Sequence, residues 1–413
     1  MSKIPNMAVH YFINPAYDKS QKYGAKQAHV LDADALKAAR AEIESWPDYH
    51  VTPMHSLQAL ADALGVAHIS YKDEGSRFGL GSFKALGGAY AVGRLLCREA
   101  GKRMGRDVTM NDLRDDPDVR QVCATLTVTT ATDGNHGRSV AWGASLFGCQ
   151  CVIYIHATVS EGRQQAIEQY GARVVRTQGN YDQAVHQADM DAKENGWFLI
   201  SDTSYPGYTD VPRNVMQGYQ VMVAEAAEQL EKPPTHIFVQ AGVGALAAAV
   251  CGYFWEHQGE ERPVFVVVEP DKADCLYQSA QAGEIKAVDG ALDTLMAGLA
   301  CGEVSVLAWD ILAQGTNAFC MIDDAAAVAT MNVLAYPQGD DPAIVAGESA
   351  VAGLAAAIGA LQDAKARMDL GLDSKSRLLF FGSEGDTDPV LYQKLVGAKA
   401  EQVLAGIKLN EGG

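Results

Sequence analysis

Thr132-Asp133-Gly134-Asn135-His136 is the stretch whose reading decides the fold. It joins an apolar, strand-like run at 122–130 to a helix-like run at 135–147. A polar Gly-Asn turn between strand and helix is the junction of an open α/β sheet. The alternation continues downstream. Residues 151–156 read as a strand. Ser160 caps a helix that reaches 170, with Gly171 as its stop. Residues 173–177 read as a strand, 181–194 as a helix and 197–201 as a strand. After Pro212 the pattern resumes, with strands at 235–240, 264–269 and 377–381 and an Ala-rich helix at 347–361. The run at 264–269 is apolar on both faces, as in a buried parallel strand. The charged segment 102–120, with Asp115-Asp116-Pro117, reads as a surface excursion.

The expected fold class is therefore α/β, with open, mostly parallel sheets flanked by helices. A chain of 413 residues is long for one core, so two domains are expected. The division expected is a large domain of residues 1–88 and 213–413 and a small domain of residues 89–212 inserted in it.

Composition narrows the function. Hydrophobic residues make up 48% and charged residues 20%, a globular balance. The net charge of −18 argues against nucleic acid or an anionic membrane surface as partner, because phosphates call for clustered Lys and Arg. No apolar run approaches the roughly 20 residues of a membrane span. Met1-Ser2-Lys3-Ile4-Pro5 lacks the apolar core of a signal peptide, which leads to the expectation of a cytoplasmic protein. Eight cysteines do not make a disulfide scaffold, and the Cys149-x-Cys151 pair has no second half for zinc. No metal site is expected.

Ligands of open α/β sheets bind beyond the carboxyl ends of strands, and the chemical motifs stand at such junctions. Lys84 lies in Gly81-Ser82-Phe83-Lys84-Ala85-Leu86, after a strand at 69–72 and at the start of a helix. Gly, Phe and Ala around a lysine lower its pKa and make the amine nucleophilic; a solvated helix-start lysine is the plainer alternative. Gln240-Ala241-Gly242-Val243-Gly244-Ala245 follows a strand and opens a helix. Small residues there let backbone N–H groups approach an anion, although Gly-x-Gly also marks close helix–strand packing. Ser383-Glu384-Gly385-Asp386 follows the last strand and reads on its own as an N-cap cluster. Asp202-Thr203-Ser204-Tyr205-Pro206 reads as a cap or turn, and Glu348 as a first-turn acid that complements the helix dipole.

Taken together these residues carry a family. The chain resembles the fold-type II pyridoxal phosphate (PLP) enzymes, the tryptophan synthase β and threonine dehydratase group, and within it looks like the diaminopropionate ammonia-lyases. The resemblance runs from about Pro53 to Pro389. It includes Lys72-Asp73-Glu74, Arg77-Phe78-Gly79-Leu80, Phe83-Lys84, residues 132–138, 240–245, 269–275 and 296–303, Gly347-Glu348-Ser349 and residues 384–388. The specific markers are Asp133, where a small neutral residue is usual in the wider group, and the run Glu269-Pro270-Asp271-Lys272-Ala273-Asp274-Cys275.

The resemblance implies removal of both amino groups of 2,3-diaminopropionate, in the D and L forms, to give pyruvate and ammonia. It implies that Lys84 holds PLP and takes the α-proton of one enantiomer, while Asp133 takes it from the other. Asp202 would contact or protonate the leaving β-amino group. Asn135 would meet the ring hydroxyl and Ser383 the pyridine nitrogen. Gly242, Val243, Gly244 and Ala245 would take the phosphate, and Glu348 would complete the cofactor site. Ser82, Thr132, Gly134, His136 and Tyr205 would line the substrate with Asp133. A homodimer and a small amino-acid substrate are implied as partners. Cys275 and Cys301 match positions that can form a disulfide in the family; in a reducing cytosol thiols are expected.

The chain departs from the family in two places. Gly81-Ser82 replaces larger or amide residues. Tyr205-Pro206 stands where a Trp-Glu pair is usual, which puts the distal end of the substrate in question. Two other readings stay open. One is a related β-eliminating enzyme for serine, threonine or another 3-substituted alanine. The other is a non-catalytic PLP or amino-acid binder, which would be expected to have lost Lys84 or Asp133.

Overall fold

The computed structural model describes residues 4–132, 134–179 and 181–406. Among them the chain forms strands β1 (His10–Ile13), β2 (Met54–Ser56), β3 (His68–Asp73), β4 (Thr127–Thr132), β5 (Gln150–Ile155), β6 (Arg173–Arg176), β7 (Phe198–Leu199), β8 (His236–Gln240), β9 (Val264–Pro270), β10 (Ala318–Ile322) and β11 (Arg377–Gly382). The helices that concern the site are α1 (Lys84–Met104), α2 (Asn135–Phe147), α3 (Asp210–Gln229), α4 (Ala245–Gln258), α5 (Cys275–Ala282) and α6 (Ala352–Gln362).

The chain divides into two compact units. The first comprises Met1–His29, Val51–Ser82 and Val223–Gly413, and the second Val30–His50 and Phe83–Met222. The boundaries expected from sequence differ from these. Val30–His50 belongs to the second unit, where Trp46 sets its ring edge against Trp142 and Phe147 of α2. Residues 83–88 and 213–222 belong there too.

The first unit is built on a seven-stranded sheet of order β1-β10-β9-β8-β11-β3-β2. Its five inner strands are parallel, and antiparallel β1 and β2 close the edges. β9 is buried almost throughout, as its unbroken apolar run requires. The Ala-rich α6 is wholly buried through Leu361, because short side chains let a helix lie close on the sheet. It begins at Ala352, five residues later than expected.

The second unit carries the sheet β6-β5-β4-β7, parallel throughout. Ser160 caps its helix by accepting from Arg163 N, and Gly171 turns with φ +80°. Two readings of the sequence need correction. The segment 102–120 is mostly helical: α1 continues to Met104 and helices follow at Met110–Asp115 and Pro117–Cys123. Thr109 and Asp116 cap these two helices and Pro117 sits at a first turn, where it is tolerated. The next strand consequently starts at Thr127, not at 122.

Candidate active site

Lys84 is the first residue of α1, and its Nζ lies 2.6 Å from Asp202 Oδ2. The two side chains are 20% and 18% exposed, so the pair is sheltered yet reachable. Asp202 follows β7, whose exit is anchored by Ile200 N donating to Thr129 O at 2.8 Å. His136, in the first turn of α2, completes the group. Its Nδ1 stands 3.8 Å from the same Asp202 oxygen, and its Nε2 lies 2.8 Å from Ile200 O. A carbonyl only accepts, so Nε2 carries the hydrogen and Nδ1 faces the carboxylate. Burial would raise the Asp202 carboxyl, but the charges of Lys84 and His136 and the bond from Lys84 outweigh it. They hold the group well below the usual carboxylate range.

The surrounding loops are tied down locally. Thr132 Oγ1 accepts from Gly134 N at 3.0 Å and Gly137 N at 3.1 Å, which shapes the turn into α2 and its Asn135. A Cβ on Gly137 would meet Thr132 Cγ2 at 2.3 Å. Asp133 lies outside the described residues. The loop after Asp202 is built on Tyr208, whose hydroxyl donates to Leu199 O and accepts from Ser201 N. Tyr205 stacks on the Tyr208 ring at 5.1 Å and is 46% exposed, so the departure from the family pattern shows at the surface of the loop.

The first unit holds the remaining expected residues. Gly242-Val243-Gly244 links β8 to Ala245, the start of α4. Gly244 has φ +100°, which L side chains avoid, and a Cβ on Gly242 would come 2.9 Å from Cys301 Sγ. Among the described residues no acceptor takes the backbone N–H of Gly242, Val243, Gly244 or Ala245. Ser383 follows β11 and is buried; its Oγ accepts from Gln240 Nε2 at 2.9 Å, which leaves its hydroxyl hydrogen to donate. Glu348 is buried but precedes the first turn of α6, so it is not the dipole-balancing acid expected. Its neighbour Ser349 is held by Glu384, which accepts from Ser349 N. Ser82 is buried and bridges to Glu384 through its backbone.

Comparison with known proteins settles the kinship. The family described as "Pyridoxal-phosphate dependent enzyme" matches residues 46–381. The chain is similar to diaminopropionate ammonia-lyase of Salmonella typhimurium, 38% identical over 395 residues that cover 92% of this chain and 96% of the relative. The crystal structure of the holo diaminopropionate ammonia-lyase of Escherichia coli superposes with a TM-score of 0.86 at 36% identity, covering 95% of this chain and 97% of that one. The structure of the same enzyme in complex with D-serine matches with a TM-score of 0.86 at 35% identity and the same coverage. The chain belongs to the diaminopropionate ammonia-lyases, within the pyridoxal-phosphate dependent enzymes.

The residues present fit the cofactor of this family. The second unit offers a sheltered lysine at a helix start. The first offers four successive N–H groups with no acceptor among the described residues at the head of α4, suited to a phosphate. It also offers the buried Ser383 hydroxyl with its hydrogen available, suited to a neutral ring nitrogen. Two features were not assigned from sequence. His136 read as a substrate contact, yet its Nδ1 faces Asp202, across a sequence distance that leaves no local signal. Glu269 read only as a family marker. Its carboxyl is buried, accepts from Leu276 N and Tyr277 N, and caps the start of α5; burial pushes it well above the carboxylate range. Cys275 and Cys301 are free thiols.

Proposed function

We propose that the chain catalyses α,β-elimination of 2,3-diaminopropionate: substrate and one water give pyruvate and two ammonia, from both D and L enantiomers. The observation that carries this reading is the 2.6 Å contact between Lys84 Nζ and Asp202 Oδ2. It puts the amine that would carry the cofactor beside a carboxylate that stays ionised. Bound PLP supplies an electron sink for the pair left when the α-proton departs.

The chain's residues do the rest. Lys84 holds the cofactor and takes the α-proton from one face; Asp133 takes it from the other. The β-nitrogen must leave as neutral ammonia, so it must enter as an ammonium ion. An ionised Asp202 pairs with that charge and keeps the proton on the leaving nitrogen, with His136 fixing the carboxylate. The N–H groups of 242–245 hold the phosphate, Asn135 the ring hydroxyl and Ser383 the ring nitrogen; Glu348 completes the cofactor site. Ser82, Thr132, Gly134, His136 and Tyr205 line the substrate. A hydroxyl opposite the ring nitrogen leaves it uncharged, which suits elimination better than transamination.

We place the protein as a homodimer in cytoplasmic amino-acid degradation; its eight free thiols suit a reducing compartment. The test is pyruvate and ammonia release over a panel of D- and L-3-substituted alanines. Asp133→Asn should cut turnover of the D substrate about 10²–10⁴-fold and spare the L substrate in part. Equal losses for both enantiomers would sink the two-base assignment.

A further inference from the structure

Tyr219 is a buried titratable group that the mechanism above does not use. It sits on α3, fully buried, in the same unit as Lys84 and Asp202. Its ring packs on Phe83, the residue before Lys84, with centroids 4.6 Å apart. Two glycines let the helices come this close. A Cβ on Gly87 would fall 2.4 Å from Tyr219 Cε1, and one on Gly218 would fall 1.9 Å from Leu86 O. The crossing of α1 and α3 is thus built around this ring, one turn beyond Lys84.

Yet within ordinary hydrogen-bond geometry the hydroxyl has no partner among the described residues, and the Lys84 side chain stands beside it just beyond that geometry. A buried hydroxyl left unpaired costs stability, so its presence calls for a reason. The charges of Lys84 and Asp202 both act on it. A hydroxyl accepts and donates at once, so it can serve an ammonium and a carboxylate together. Such contacts are often long in the resting protein and tighten when the site is engaged.

We propose that Tyr219 is a positioning residue whose hydroxyl accepts from Lys84 Nζ and donates to Asp202, closing the pair and aiming the amine. The inference rests on Lys84 as the cofactor lysine, a reading tested separately by Lys84→Ala. Among the described residues, His136 and Tyr208 also interact electrostatically with Asp202.

Tyr219→Phe keeps the ring and removes only the hydroxyl. In cofactor-free protein, Lys84 is modified with a small aldehyde and a hydride reductant at a series of pH values and read by peptide mass spectrometry. An acceptor stabilises the ammonium form, so its loss should move the labelling midpoint down by about one pH unit. In the holoenzyme kcat should fall about 10- to 100-fold with KM within about twofold. The melting temperature should hold, because no structural bond is lost. An unmoved or raised midpoint overturns the proposal. So does a Phe variant that fails to fold, since the hydroxyl would then be holding the helices together.

Discussion

Lys72 and Lys84 are both ion-paired lysines near the end of the same stretch of sequence, and they end in opposite situations. Lys72, on β3 of the first unit, is fully buried and ringed by acceptors. Its Nζ donates to Glu225 Oε2, Thr52 O and Gln229 Oε1, each at 2.8 Å. Arg77 joins the network, bonding Glu74 and both oxygens of Glu225. Burial pulls the Lys72 amine down, and Glu225 and Glu74 oppose it. Two cations and two carboxylates balance here, which is the condition for burying charge at all. Lys84 stands at a helix start with a fifth of its side chain exposed, beside a carboxylate that is itself reachable. A lysine whose donors are all spent on buried protein acceptors is scaffold, whereas one that stays reachable can react.

Removing each lysine should therefore break different properties. The largest effect is expected for Lys84→Ala. Activity should fall about 10⁴-fold or more, and the yellow chromophore that borohydride fixes in the wild type should vanish, while the melting temperature stays near that of the wild type. A variant that still holds PLP covalently would refute the assignment.

Lys72→Met should do the reverse. Removing Lys72 leaves Arg77 alone to balance the buried carboxylates of Glu74 and Glu225, at a cost of about 3–5 kcal/mol. Urea unfolding should register that loss, and the folded fraction should keep a normal chromophore and turnover. A stable Lys72→Met protein without its chromophore would erase the distinction drawn between the two lysines.

Asp202→Asn should have the smallest effect of the three. Turnover should drop about 10²-fold, and the melting temperature at neutral pH should fall modestly because the ionised carboxyl no longer pairs with Lys84. Because the folded-state carboxyl lies below its unfolded value, its contribution to stability is present above about pH 3.9 and is lost as the pH falls below that. The wild type should accordingly lose stability more steeply than Asp202→Asn during acid titration, as read by circular dichroism. Parallel acid profiles would show that the Lys84–Asp202 pair contributes nothing to folding.

How far the sequence reaches varies along the chain. Where structure follows from neighbours a few residues apart, it is legible. The Gly244 turn needs a residue tolerant of positive φ, Ser160 needs only the next turn of its own helix, and β9 declares its burial by an unbroken apolar run. The segment 102–120 misled because charged residues on exposed helices look like loop until the caps at Thr109 and Asp116 are weighed.

By itself, then, the sequence determined the alternating α/β order, a lysine at a strand-to-helix junction, the glycine loop at the head of α4 and Ser383 after β11. Each is a local motif whose conformation its own residues dictate. Only the tertiary structure decided which charges meet. Asp202 lies 118 positions from Lys84, and nothing in either neighbourhood encodes their 2.6 Å contact. The same holds for Lys72 and Glu225, 153 positions apart, and for the Tyr219 hydroxyl that packing sets beside Lys84. Pairings of this kind are set by how helices and sheets pack, since a side chain's partner depends on the whole chain's path and not on the residues beside it.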